Sequence, residues 1–153
     1  MSEILFYHLE RHTLEQTLPV LLEKTLERGW KAVVQTASPE QVKALDEHLW
    51  RWRDNSFLPH MAAGNEQGAA YIADQPIFVT DQSDTPNAAN VLFLVDGATR
   101  ETLEAFDRCV IMFDGRDEET LAQARAQWAA LKDSGHELTY WQQNAEDKWE
   151  KRA

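Results

Sequence analysis

The chain predicts an α/β fold: a three-layer sandwich with a mainly parallel sheet of about five strands and helices on both faces. Three observations carry that expectation. Short apolar runs alternate along the chain with stretches of helical periodicity, the order that builds parallel sheets through helical crossovers. Several of the runs, VLFLV and CVIMF among them, are continuously apolar rather than alternating, as strands covered on both faces are. The length of 153 residues suits one domain, expected over 1–142 with a charged C-terminal tail over 143–153.

Residues 4–9 (ILFYHL) form the first buried strand. Thr13 caps the following helix with Gln16 three residues on, and Leu14, Leu18, Leu21, Leu22 and Leu26 recur at helical spacing before Gly29 stops it. Pro19 disturbs that pattern because it has no N–H to donate. Either the helix proper begins at Thr17 or its first turns are kinked. Residues 32–35 make a second strand. Ser38-Pro39-Glu40-Gln41 opens the next helix, with a capping Ser, Pro at the first helical position and Gln at the third. Val42, Leu45, Leu49 and Trp50 are its apolar stripe.

Residues 55–75 hold Pro59, Gly64 and Gly68 and read as loop, with at most a short strand at Phe57-Leu58. A third strand is expected at 76–80, a polar turn at 81–87, a fourth strand at 91–95, a short helix at 99–106 and a fifth strand at 109–113. Asp114-Gly115 turns the chain into a long helix over 117–132. Its acidic first turn suits the helix macrodipole, and Gly135 ends it. Residues 138–141 suggest a last short strand, and the tail through Trp149 a loose helix.

Charge narrows the function. The chain carries 15 Lys plus Arg against 26 Asp plus Glu, a formal net charge of −11. Such a chain repels the phosphate backbone and anionic lipid surfaces, so neither direct nucleic-acid binding nor membrane binding is expected. The single Cys109 sits in an apolar run and reads as a buried thiol. With no basic, apolar leader at its start, the chain reads as cytoplasmic.

Catalytic motifs are missing. The first strand is followed by HLERHTLEQ, without glycine, and neither phosphate-loop pattern occurs anywhere. The five His form no metal-binding motif, and no Ser stands in a nucleophile-elbow context. No cofactor, no metal and no catalytic residue is expected. The competing reading is a small hydrolase-like α/β enzyme that uses clustered carboxylates.

Three features ask for a protein partner. Leu49-Trp50-Arg51-Trp52-Arg53 gathers residue types favoured at interface hot spots, and one of its two Trp could equally be core. Ser56-Phe57-Leu58-Pro59-His60 is apolar where a loop should be exposed, or else plugs a sheet edge. Arg125 and Trp128 share a helix face, with Lys132 one turn beyond Trp128. An Arg beside an aromatic slot holds a peptide's terminal carboxylate while the slot takes its last side chain. Alternatively, Trp128 is core and Arg125 only solvates the helix.

Four segments, in order over nearly the whole chain, resemble the chi subunit of bacterial DNA polymerase III. They are Phe6-Tyr7-His8-Leu9, LDEHLW at 45–50, SFLPH at 56–60 and the spaced AR-x-x-W-x-x-x-K-x-x-G at 124–135. Residues 76–80 and Asn87-Ala88-Ala89 are also similar to that family. The resemblance implies a nucleotide-binding-like α/β fold, P-loop-like in topology but without the phosphate loop. It implies a non-catalytic accessory subunit of the clamp-loader assembly. That subunit binds the acidic, Phe-ending C-terminal tail of single-stranded DNA-binding protein, and the psi subunit where one is present. Arg125 and Trp128 match the family's tail-binding pair, with Lys132 beside them. A further basic residue of that pocket falls near Leu121 here, for which Lys132 or Arg116 would compensate. Phe57, with Trp50, matches the surface for psi or a helicase.

Overall fold

The computed structural model describes residues 3–9, 13–51, 61–62, 76–81, 89–95, 97–98, 103, 106–144, 146 and 148–152, with residues 50, 51, 61 and 62 described by backbone only. Within them the chain runs β1 (Glu3–Leu9), α1 (Leu14–Glu27), β2 (Ala32–Gln35), α2 (Pro39–Arg51), β3 (Met61–Ala62), β4 (Ile77–Thr80), β5 (Val91–Leu94), β6 (Arg108–Asp114), α3 (Glu118–Lys132), β7 (Glu137–Gln143) and β8 (Trp149–Lys151). The strands form one sheet in the order β3-β4-β2-β5-β6-β1-β7-β8. Every pairing is parallel except the antiparallel one between β7 and β8.

The sheet therefore has eight strands among the described residues rather than about five. The additions are at its edges. β3 is two residues long and lies in the stretch read as loop. β8 replaces the expected loose helix. The Asn144 side chain accepts from the Glu146 and Lys148 backbone N–H groups at 2.8 and 3.1 Å, turning the chain back on β7. The Trp149 ring then meets the edge of Tyr7 at 4.8 Å. The expected short strand at Phe57-Leu58, all but the first residue of the 81–87 turn and most of the 99–106 helix lie outside the described residues.

Alternation within each strand sends side chains to two cores. Leu9, Val34, Ile77, Val79, Phe93 and Met112 face α1 and α2, whose Leu14, Leu18, Leu22, Val42, Leu45 and Leu49 cover them. Ile4, Phe6, Val33, Leu92, Ile111 and Phe113 face the other way, toward Ala124 of α3 with Leu121, Trp128 and Leu131 around it. β2, β4 and β5 are buried at every position, which is why they read as unbroken apolar runs. Cys109 is fully buried in the α3-side core.

The helix ends follow their local signals. Thr13 and Gln16 form the reciprocal capping box of α1, and Gly29 stops that helix at φ 76°. Gln41 N–H donates to the Ser38 hydroxyl at 3.3 Å, and the Gln41 amide oxygen accepts from Ala37 N–H at 3.0 Å.

Helix α1 begins at Leu14 and runs through Pro19, so it does not wait until Thr17 to start. The carbonyl that proline cannot serve is that of Glu15, four residues back. The Nε2 of His48, on α2, donates to that oxygen at 2.6 Å. A side chain of the neighbouring helix thus replaces the lost helical bond and ties α1 to α2. His48→Ala should cost about 1 kcal/mol in urea unfolding, since the freed carbonyl regains only water. Pro19→Ala in that background should recover the loss by restoring the N–H, and independent effects of the two changes would refute the link.

Tyr7 lies under α1 on β1. Burial pushes its phenol above the usual 10.0, with Arg108 pulling the other way and Glu3 adding a smaller push. A raised folded value means the protonated phenol stabilises the fold fully below the unfolded value, and that contribution is lost as pH rises through the folded one. Urea unfolding should therefore show stability falling above about pH 10 in the parent and a shallower fall in Tyr7→Phe.

Candidate functional site

Two places on this frame could do chemistry or recognition. The first follows from topology. β6 and β1 are neighbours, but the chain leaves β1 through α1 on one face and leaves β6 through α3 on the other. A crevice opens at the carboxyl ends of such strands, where α/β sheets bind ligands. Here it is a cleft of about 590 Å³, lined by Leu9, Thr13, Glu15, Gln41, Gly97, Asp114, Arg116 and Glu119 among others.

The helix starts that hold phosphate in nucleotide-binding folds are served in this cleft by the chain's own groups. Thr13 and Gln16 close the N-terminus of α1. Asp117 caps α3, accepting from Glu119 N–H at 3.1 Å and from the Thr120 hydroxyl at 2.9 Å. Glu15, Glu118 and Glu119 add negative charge to the first turns, which a phosphate would have to oppose.

Arg116 does not offset those acids. Its Nε and its backbone N–H both donate to Asp114 Oδ1, at 3.1 and 3.0 Å. Those bonds hold the Asp114 carboxyl below the ordinary carboxylate value. A general acid or base needs the opposite shift, so Asp114 is poorly suited to the carboxylate-enzyme reading. Gly115 has its own reason for being glycine. A Cβ there would overlap the His8 ring, whose Nδ1 bonds the Tyr140 hydroxyl at 2.5 Å. Among the described residues no group of three or more His, Cys, Asp or Glu is placed to hold a metal ion.

The second place is the outer flank of α3. At about 100° per residue, Leu121, Ala124, Trp128 and Leu131 form its inward face, and Arg125 and Lys132 stand just past its border. Ala124 is 3 % exposed, and Leu121 and Leu131 pack on the core around it. Trp128 is half-buried, edge-on to Phe6 at 5.3 Å and to Tyr140 at 6.0 Å. Arg125 and Lys132 are exposed, and among the described residues neither forms an ion pair. The indole thus lies between two available cations, one toward each end of the helix. Trp128 anchors in the core, stays partly exposed, and stands one turn from Arg125 on α3.

Of the remaining expected residues, Arg116 stands just before α3, engaged with Asp114. Of its guanidinium only Nε is engaged there, and the side chain is exposed. Phe57 and the Trp50 side chain lie outside the described residues. Sequence reasoning missed the partnership of Trp128 with Tyr140. The signal was Tyr140 itself, an aromatic on a strand whose neighbour β1 carries Phe6 at the paired position.

The family model described as DNA polymerase III chi subunit, HolC, matches residues 1–139 of this chain. A relative named "Probable DNA polymerase III subunit chi", from Rickettsia prowazekii (strain Madrid E), is 27% identical over 121 residues, 74% of this chain and 71% of the relative.

Proposed function

This chain belongs to the DNA polymerase III chi subunit family, and we propose that it couples the polymerase to single-stranded DNA-binding protein by gripping that protein's acidic C-terminal tail. Membership makes it an accessory subunit of the replicative polymerase. The tail grip, a non-catalytic role, the link to the clamp loader and a psi partner at Phe57 and Trp50 are our reading.

One observation carries it: a half-buried Trp128 flanked on α3 by exposed Arg125 and Lys132, neither ion-paired among the described residues. A guanidinium fork takes a terminal carboxylate in two parallel bonds. The indole edge, with Tyr140 behind it, offers an apolar wall to a terminal Phe ring. Lys132 is one turn farther and meets an acidic side chain upstream in the tail. The global charge of −11 opposes this encounter, so the attraction is local.

Titration calorimetry of the full chain with an acidic peptide ending in Pro-Phe should show micromolar binding at low salt, weakened by added salt. Amidating the peptide's C-terminus should weaken it at least about tenfold. Absence of heat and of competition at low salt would remove the tail from the function.

A further inference from the structure

The opposite face of the sheet holds a second cation-rich pocket, and nothing in the tail-binding reading uses it. It lies between the C-terminal half of α1 and the strands beneath, with a volume of about 170 Å³. Its floor is apolar, made by Leu5, Val91, Phe93 and Val110, and Leu21 closes one side. Its rim is basic, made by Lys24 of α1, Arg28 at the C-cap of that helix and Arg108 of β6. Tyr7 and Trp30 complete the lining.

Three cations gathered on one small pocket are notable in a chain whose charge is −11. Lys24 and Arg28 suit the negative end of the α1 dipole, but that role requires no third cation from another element and no apolar floor. The guanidiniums are also held in place. Arg28 and Arg108 each lie over the Trp30 ring, at 5.3 and 5.4 Å from its centroid. One Arg108 terminal nitrogen pairs with Glu3 at 3.2 Å. Its Nε is buried and has no hydrogen-bond partner among the described residues. A buried guanidinium N–H without an acceptor is costly, and a side-chain shift that admits an anionic oxygen from the pocket would relieve it.

We propose that this pocket receives one acidic residue of a partner protein's extended segment, its carboxylate on the Arg28–Arg108 pair and its methylene stem on the apolar floor. Size decides for a side chain over a nucleotide, because small-molecule sites occupy roughly 300–1,000 Å³. Leu21 and Lys24 also line an adjoining cavity with Val20, Gln143 and Trp149. The groove along α1 thus continues to a second, more apolar position for the neighbouring residue of the segment. Glu3 is the carboxylate of this chain that competes for Arg108.

The test uses the full chain, labelled with nitrogen-15, and a six-residue peptide of alternating Glu and Leu blocked at both ends. Blocking removes the terminal carboxylate that the α3 grip requires, so the two sites are read separately. Saturable shifts of the Arg108 Nε–H and Trp30 indole N–H signals are expected. Affinity should fall about tenfold in Arg28→Glu and stay unchanged in Arg125→Glu. Arg28 and Lys24 are exposed, so Lys24→Glu provides a second folded variant with the same expected loss. Parent-like binding by both variants would overturn the proposal. So would shifts that collect around Trp128, or a thymidine oligonucleotide that moves the pocket signals where the peptide does not.

Discussion

Arg125→Glu should abolish measurable binding of the Phe-ending acidic peptide while leaving the fold intact. The residue is exposed and outside the core, so thermal unfolding should match the parent. Removing a charge-assisted carboxylate bond costs about 1.5–3 kcal/mol. Reversing the sign adds repulsion from the tail's own acids, and the two together exceed a hundredfold loss. Arg125→Lys keeps the charge but loses the two-pronged geometry, so it should fall between parent and reversal. Lys132→Glu should cost less, because Lys132 meets an upstream side chain rather than the terminal carboxylate. The affinity lost on raising salt should also shrink in Arg125→Gln. Unchanged peptide affinity in Arg125→Glu would place the tail elsewhere.

Phe6→Ala should destabilise the fold far more than His48→Ala or Tyr7→Phe, by about 3–5 kcal/mol. Phe6 is fully buried, and its ring meets Trp128 at 5.3 Å and Phe113 at 6.5 Å, both edge-on. Truncation opens a cavity between the sheet and α3, where close packing leaves little room for the surroundings to relax. The urea midpoint should drop with the slope unchanged, and the melting temperature should fall by roughly 10 °C. Phe6 is also the floor on which the Trp128 indole rests, so peptide affinity should weaken in the folded variant. Phe6→Leu, which refills most of the space, should recover stability better than it recovers affinity. A loss below about 1 kcal/mol would mean that Phe6 is not packed as described.

The two variants separate the roles combined on α3. One face of the helix, through Ala124 and Leu131, belongs to the core, and its border is the proposed partner surface. Trp128 lies between the two, so its own truncation would confound them. Arg125 and Phe6 act on either side of it and can be read independently.

Much of this architecture was legible in the sequence. Capping at Thr13 and Ser38, the stop at Gly29 and the acidic start of α3 depend on residues within four positions of one another. Unbroken apolar runs announced strands buried on both faces. The spacing of Arg125, Trp128 and Lys132 put them along one border of a helix, because helical periodicity is a local rule.

What only the tertiary structure decided are contacts between residues far apart in the chain. No local rule could pair His48 with the carbonyl freed by Pro19, thirty-three residues away. Nor could it place Arg28 and Arg108 on one Trp30, because they stand on separate elements that meet only when β6 lies beneath α1. Trp128 shows the division most clearly. Its position in the sequence made it an aromatic beside an arginine, but sheet order brought Phe6 and Tyr140 beneath it. Burial is a property of the assembled sheet, so whether an aromatic side chain serves the core or a partner is settled only when its distant neighbours are in place.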